Sequence, residues 1–180
     1  MSISDRRKAW VLAAFLGVAY PAFAEPGPEL GEPVSAEEVA KWDISIAPDG
    51  ATLPPGQGDA ARGAEVYEVH CERCHGRSAR GGEGFADALA GGVGSLASEK
   101  PVKTVASYWP YATTIFDYVR RAMPYDRPMS LSDNDVYAVT AYLLSLNDII
   151  EDGAVMDADS LPEVEMPNRG GFVLYWPEPD

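Results

Sequence analysis

The chain has 180 residues, enough for one domain with extensions, and its composition is strongly acidic. The formal net charge is −14, from 28 acidic and 14 basic side chains. This charge argues against nucleic acid and anionic membrane surfaces as partners, because both repel a polyanion. It favours a protein partner with a basic docking patch, although acidity for solubility alone is the simpler alternative.

Residues 1–24 have the pattern of a signal peptide that is removed from the mature protein. A positive segment, Arg6 to Lys8, precedes an apolar run from Ala9 to Tyr20, and Ala22-Phe23-Ala24 fits an A-x-A cleavage site. The apolar run is short for a membrane span, so an uncleaved anchor is the less favoured alternative. We therefore expect a periplasmic protein that begins near Glu25.

Residues 25–57 are predicted to form a proline-rich N-terminal extension. Six prolines interrupt this segment, and a capping box at Ser35 to Glu38 predicts one short helix that ends near Lys41. We expect the apolar side chains of Trp42 and Ile44 to anchor the extension on the domain that follows.

The domain itself is predicted over residues 58–147 and is helical. Its helices are expected over residues 59–71, capped by Asp59; over Ile115 to Ala122, capped by Thr113 or Thr114; and over residues 133–146, capped by Ser132. Gly63 and Tyr67 share one face of the first helix. A glycine is costly inside a helix, so it indicates close packing, here against Tyr137 or Tyr142 of the last helix.

The stretch Cys71-Glu72-Arg73-Cys74-His75 has the C-x-x-C-H pattern of covalent haem attachment. The two thiols would add to the haem vinyl groups, and His75 would bind the iron as its proximal ligand. A thioredoxin-like site needs a βαβ context, and a zinc site needs about four ligands. A simple disulfide would leave His75 unexplained. His70 is predicted to lie at the surface or near the propionates, rather than to act as a second ligand.

Two segments after the motif are predicted to line the cofactor pocket. The glycine-rich residues 76–94 are expected to pass close to the porphyrin edge, with Phe85 and Leu89 as pocket residues. Tyr108-Trp109-Pro110-Tyr111 suits a pocket wall, in which the Trp109 N–H or the Tyr111 O–H could donate to a propionate. Ordinary core packing of these aromatic side chains is an equal alternative.

Two methionines are candidates for the second axial ligand. Met123 precedes Pro124, which ends the preceding helix and leaves the methionine on a loop that can face the iron. Met129 lies very close to the cap of the next helix and is less favoured. Met156 and Met166 lie in residues 148–180, an acidic tail that is interrupted by prolines and carries an apolar patch at residues 172–176.

The order of these features resembles the class I cytochrome c family, over about residues 58–147. The resemblance implies an all-α fold and one covalent haem c, held by Cys71 and Cys74 and ligated by His75 and Met123. The family often has a proline soon after C-x-x-C-H that orients the proximal histidine. Here none occurs between Cys74 and Lys100, so the partner of the His75 N–H stays open.

Residues 32–57, 100–129 (which contain YWPYATT and DYVRRAMP) and 131–148 resemble the cytochrome subunits of sulfane dehydrogenases, which belong to periplasmic thiosulfate-oxidising systems. Those subunits commonly carry a second C-x-x-C-H, whereas this chain has one. The resemblance implies a non-catalytic electron carrier. It would take electrons from a molybdenum-cofactor subunit of the sulfite oxidase type and pass them to a soluble cytochrome c or another acceptor with a basic patch. The alternatives are a freely diffusing cytochrome c and a haem enzyme or sensor with an open sixth position.

Overall fold

The computed structural model describes residues 30–81 and 86–173. Its elements are, in chain order, α1 (Ala36–Trp42), β1 (Gln57–Asp59), α2 (Ala60–His70), α3 (Glu72–His75), α4 (Ala112–Ala122), α5 (Asp133–Ser145) and β2 (Val155–Asp157). The predicted signal peptide, Phe85 and residues 174–176 of the apolar patch lie outside the described residues. Within those ranges, no helix is both long enough and apolar enough to cross a bilayer.

The crossing of α2 and α5 organises the domain, and Gly63 makes that crossing possible. A Cβ atom at Gly63 would lie 2.6 Å from the Ala138 carbonyl carbon and from the Cβ of Tyr142, so only glycine fits. The predicted packing against Tyr142 is therefore confirmed. The predicted caps are confirmed too, since Asp59 accepts from the Arg62 N–H (2.8 Å) and Ser132 accepts from the Asp135 N–H (3.2 Å).

Helix α4 begins earlier than the sequence pattern indicated, so the predicted caps at Thr113 and Thr114 are wrong. The helix starts at Ala112, and Tyr111 precedes it in an extended conformation without a capping side chain. Thr113 is buried and donates instead to the Pro48 carbonyl oxygen (3.2 Å). A tertiary contact with the N-terminal extension thus takes the hydroxyl that was expected to cap the helix.

The N-terminal extension is anchored by Ile46, and the predicted anchoring by Trp42 is wrong. Ile46 belongs to the hydrophobic core, whereas the Trp42 side chain is 79% exposed and α1 has no buried residue. The Ile46 N–H donates to the buried Asp117 carboxylate (3.1 Å), which also pairs with Arg121. Because Asp117 lies on α4, this contact fixes the extension on the domain.

The segment after α5 also packs on the domain. Strands β1 and β2 pair antiparallel, with Gly58 opposite Met156, and so join the two extensions. Leu161 is fully buried in the core that contains Phe116 and Tyr137, whose rings lie 4.4 Å apart. Met156 and Met166 are buried core residues as well. The N-terminal extension and the described part of the acidic tail therefore both pack across the helices, and we call them the N-terminal and C-terminal straps.

Candidate haem site

A slot formed by two adjoining cavities lies between the C-x-x-C-H turn and the end of α4. The cavities have volumes of about 440 Å³ and about 240 Å³. Six residues line both of them: His75, Ala86, Leu89, Val119, Met123 and Leu143. Because the two cavities share these six lining residues, they are parts of one largely apolar slot. The prediction that Leu89 is a pocket residue is confirmed.

The two cysteines line only the smaller cavity, which we call the cysteine end of the slot. Cys71 ends α2, and its carbonyl oxygen accepts from the His75 N–H (3.0 Å), which closes the single turn of α3. Burial, and to a lesser extent the neighbouring Cys74, raise the pKa of the Cys71 thiol to about 12. Both cysteines are free of a disulfide, and the Cys71 thiol is neutral near pH 7.

The His75 ring is oriented by a backbone carbonyl twelve residues further along the chain. Its Nδ1 lies 2.8 Å from the Asp87 carbonyl oxygen. A carbonyl oxygen only accepts, so Nδ1 carries the proton and Nε2 keeps its lone pair for a metal. The sequence left the partner of the His75 N–H open, and the structure shows that this partner is the Asp87 carbonyl oxygen.

A second hydrogen bond fixes the end of the C-x-x-C-H turn. The buried Tyr67 side chain donates from its hydroxyl to the Gly76 carbonyl oxygen (2.8 Å). Burial raises the pKa of Tyr67 above its ordinary value, so the phenol stays protonated and keeps donating. Tyr67 thus connects α2, which packs on α5, to the backbone beside His75.

Met123 lines both cavities, and it does so as the residue that ends α4. Its backbone N–H closes the helix on the Val119 carbonyl oxygen (3.1 Å), and Pro124 follows directly. Among the described lining residues, Met129 is absent, and its side chain is 67% exposed. Of the methionines considered as ligands, Met123 is the one placed beside His75.

The aromatic residues of the segment Tyr108 to Tyr111 lie in two places, some in the wall of the slot and one outside it. Tyr108 and Trp109 line the larger cavity, and the Trp109 ring meets Tyr118 edge to face at 5.6 Å. Tyr111 packs instead under the Arg169 guanidinium, 4.6 Å from its ring centroid. The pocket-wall prediction therefore holds for Tyr108 and Trp109 but not for Tyr111.

His70 and the paired arginines of α4 lie away from the larger cavity. His70 lines the cysteine end, where its Nδ1 is 3.4 Å from Arg127, so it does not lie on the side where we expected propionates. Arg120 pairs with Asp133 (3.0 Å), and Arg121 pairs with Asp117. These two arginines stabilise helix contacts.

The side chains around the slot suit a haem c group. Two thiols, an oriented imidazole and a thioether converge on apolar walls, and this donor set matches covalent haem attachment with axial His and Met ligands. Within residues 30–81 and 86–173, no group of three or more His, Cys, Asp or Glu side chains is placed to hold a metal ion.

Comparison with known proteins agrees with this chemistry. The sequence profile of the family described as cytochrome c matches residues 60–147. The chain is 43% identical to a protein in the crystal structure of the sulfane dehydrogenase SoxCD from Paracoccus pantotrophus, with a TM-score of 0.73. That likeness covers 81% of this chain and 71% of the other. The chain belongs to the class I cytochrome c family. No curated protein matched it.

Membership of the cytochrome c family confirms the predicted fold class, and it implies covalent haem c and an electron-transfer role. The two short strands are an addition to the all-α prediction, and they serve to join the extensions. Sequence reasoning missed the roles of Asp87 and Asp117. Asp87 acts through its own backbone carbonyl and Asp117 binds the backbone N–H of Ile46, and backbone groups carry no sequence signal.

Proposed function

We propose that this cytochrome is the single-haem electron-transfer subunit of a periplasmic, molybdenum-dependent dehydrogenase that oxidises sulfane sulfur or sulfite. The observation that carries the proposal is the likeness to sulfane dehydrogenase SoxCD, which extends over 81% of the chain. That share is larger than the matched cytochrome c segment, residues 60–147. The likeness therefore includes parts of the extensions, which a generic cytochrome c would not share.

The proposed haem site uses four residues. Cys71 and Cys74 would hold the macrocycle through thioether bonds, and His75 and Met123 would be the ligands of its iron. The bound haem supplies a one-electron couple, and a methionine ligand keeps its potential high. His75 is held by the Asp87 carbonyl oxygen, and Leu89 and Leu143 contribute apolar side chains to the walls of the slot. With His75 and Met123 as the iron ligands, the bound haem would exchange electrons, and the chain would act as an electron carrier.

The proposed electron path runs through protein partners. A molybdenum-cofactor subunit of the sulfite oxidase type would oxidise the sulfur compound and reduce this haem. The haem would then reduce a soluble cytochrome c or another acceptor with a basic patch. The net charge of −14 supports such an acceptor, since opposite charges steer association between diffusing redox proteins.

Purification of the complex from the native host tests this function. The cytochrome should co-purify with a protein that contains molybdenum, and sulfite or a sulfane sulfur donor should reduce its haem in the purified complex. Molybdenum is measured by elemental analysis, and haem reduction is measured by absorbance. A cytochrome that purifies alone, without molybdenum, would contradict the proposal and favour the freely diffusing alternative.

The proposed export is tested separately on the mature protein. Cleavage after Ala24 predicts that N-terminal sequencing of haem-loaded protein from the periplasmic fraction starts at Glu25. A mature chain that still begins at Met1 would show an uncleaved anchor instead.

The domain limits that we propose are residues 58–147 for the haem domain, with the extension before it and the acidic tail after it.

A further inference from the structure

We propose that the last turn of the C-terminal strap, Met166 to Phe172, is a latch that holds the segment Tyr108 to Tyr111 in place as a wall of the haem slot. By keeping this wall closed, the latch raises the reduction potential of the haem. The inference rests on the proposed haem loading of the slot but not on the identity of the dehydrogenase. The latch residues act on the haem through the wall, so they are positioning residues.

The wall segment has no regular secondary structure of its own. Tyr108 to Tyr111 precede α4 and belong to no helix or strand. Tyr108 and Trp109 nevertheless line the larger cavity of the slot. A segment outside helices and strands lacks their repeating hydrogen bonds, so its position depends on contacts with other parts of the chain. The position of this wall therefore depends on what packs behind it.

Three contacts from the latch reach this wall. The Asn168 side-chain amide donates to the Tyr108 carbonyl oxygen (2.7 Å). The Phe172 ring meets the Tyr108 ring edge to face, with the ring centroids 5.3 Å apart. The Arg169 guanidinium lies 4.6 Å from the centroid of the Tyr111 ring. The latch therefore contacts both ends of the segment, through its backbone and through its side chains.

The latch is itself fixed to the domain. Met166 is buried in the hydrophobic core, and its carbonyl oxygen accepts from the Arg169 N–H (2.9 Å). The Gly171 N–H donates to the Asn168 carbonyl oxygen (3.0 Å), which continues the turn. Because one end of the turn is anchored in the core, the contacts of Asn168 and Phe172 connect the wall to that core.

Two neighbouring glycines of the latch differ in the space around them. A Cβ atom at Gly171 would collide with Oδ1 of the Asn168 side chain, whereas a Cβ atom at Gly170 would meet no atom within 4 Å. A methyl group at position 171 must therefore displace the amide that donates to Tyr108. The same methyl group at position 170 leaves that amide where it is.

A closed wall affects the reduction potential because it limits contact between the haem and water. Water stabilises the ferric haem more than the ferrous haem, since the ferric form carries one more positive charge. Opening of the wall should therefore lower the potential. Asn168, Gly171 and Phe172 are uncharged, so their replacement changes the exposure of the haem without removing a charge.

The test is a potentiometric titration of the purified haem-loaded protein without any partner. Asn168→Ala should lower the midpoint potential, because the Tyr108 carbonyl oxygen loses its hydrogen bond to the latch. Gly171→Ala should lower it as well, because the methyl group displaces the Asn168 amide. Gly170→Ala is the matched control and should keep the wild-type potential. This glycine pair tests the latch independently of Asn168→Ala.

Hydrogen exchange followed by mass spectrometry measures the wall directly. Exchange in peptides that contain Tyr108 to Tyr111 should be about two- to tenfold faster in Asn168→Ala, the factor expected for the net contribution of one hydrogen bond. Gly170→Ala should exchange like the wild type. The circular dichroism of both variants should stay unchanged, because α2, α4 and α5 are not altered.

Two results would overturn the latch. An unchanged potential in Asn168→Ala would do so even with faster exchange, because the strap would then support the fold without affecting the haem. Equal potentials in Gly171→Ala and Gly170→Ala would do so as well, because displacement of the Asn168 amide would then have no effect. Absence of a molybdenum partner would leave these measurements unaffected, so the proposed dehydrogenase can fail while the latch stands.

Discussion

The residues that we propose as haem ligands reach the slot in two different ways. Cys71 to His75 are neighbours along one short turn, so their convergence is a property of local sequence. Met123 arrives from the far end of α4, and its position depends on how that helix packs. The proximal side of the site is therefore encoded locally, and the opposite side depends on the tertiary structure.

Replacement of Met123 tests the proposed axial ligand. Met123→Ala should open the sixth position, lower the reduction potential and allow the reduced protein to bind carbon monoxide, because the thioether no longer ligates iron. Absorbance spectra and a potentiometric titration measure these changes. Met129→Ala is the control, since that side chain is largely exposed, and it should keep the wild-type spectrum. A Met123→Ala protein that stays low-spin at an unchanged potential would assign the ligand elsewhere.

At the scale of elements, α2 and α5 approach so closely that the contact has no room for a methyl group. Gly63 meets Ala138 and Tyr142, and the Tyr67 and Tyr142 rings pack 5.3 Å apart beside it. Tyr67 also donates to Gly76 next to His75. The helix crossing is therefore coupled to the backbone of the haem-binding turn.

Gly63→Ala should destabilise the haem-loaded protein by about 1–3 kcal/mol, the usual cost of overpacking. Urea unfolding followed by circular dichroism measures the change. Gly170→Ala is the matched control, because a Cβ at Gly170 meets no atom within 4 Å, and its effect should stay within about 0.5 kcal/mol. If the two variants had equal free energies of unfolding, α2 and α5 could move apart to accommodate the methyl group without loss of stability.

The ion pair between Arg62 and Asp135 (2.8 Å) links the same two helices and predicts a pH dependence. Burial alone would raise the pKa of Asp135, but hydrogen bonds from Ser132 and Arg62 lower it below its ordinary value of 3.8. The folded protein therefore binds fewer protons at Asp135 than the unfolded chain does. Its stabilisation is present above about pH 4 and is lost as the pH falls through the folded pKa.

Asp135→Asn should accordingly lower the unfolding free energy at pH 7 by about 0.5–1 kcal/mol, since Arg62 is half exposed and solvent screens the pair. The difference from wild type should narrow below about pH 4. Urea unfolding over a pH series measures it. Asp152→Asn, at an exposed turn residue, serves as the control and should follow the wild type at each pH. A difference that stays constant down to acidic pH would exclude the carboxylate charge as its source.

At the scale of the whole molecule, two straps brace the helical domain from outside. The N-terminal strap is fixed by Ile46 on Asp117 and by the Tyr137 hydroxyl, which donates to the Pro54 carbonyl oxygen (2.9 Å). The C-terminal strap places Leu161 in the core. The paired strands β1 and β2 join the straps. The hydrogen bond from Ile46 to Asp117 connects the N-terminal strap to α4, the helix that ends next to Met123.

Asp117→Ala should release the first strap, because the Ile46 N–H and the Arg121 guanidinium both lose their acceptor. Loss of a buried hydrogen-bonded carboxylate should cost about 1–3 kcal/mol. Hydrogen exchange at the Ile46 amide should speed up, as measured by mass spectrometry of peptides from the extension. Glu99→Ala, at an exposed position, is the control and should leave this exchange unchanged. Unaltered protection in Asp117→Ala would show that apolar packing alone holds the strap.

The haem-binding motif and the caps of α2 and α5 could be read from the sequence alone. Cys71, Cys74 and His75 lie within five residues, and Asp59 and Ser132 cap helices through contacts three residues away. Such short-range features are readable, because their geometry follows from the helical backbone.

Contacts between residues that are distant in the sequence became visible in the folded structure. Two contacts depend on how distant parts of the chain pack together. The Asp87 carbonyl oxygen orients the His75 ring, and the Asp117 carboxylate accepts from the N–H of Ile46, which anchors the extension in place of Trp42. Every residue has a backbone carbonyl, so the sequence does not show which carbonyl will accept a given hydrogen bond. The sequence also does not show whether a particular tryptophan will be buried or exposed. Packing therefore selects the partners after the local helices have formed.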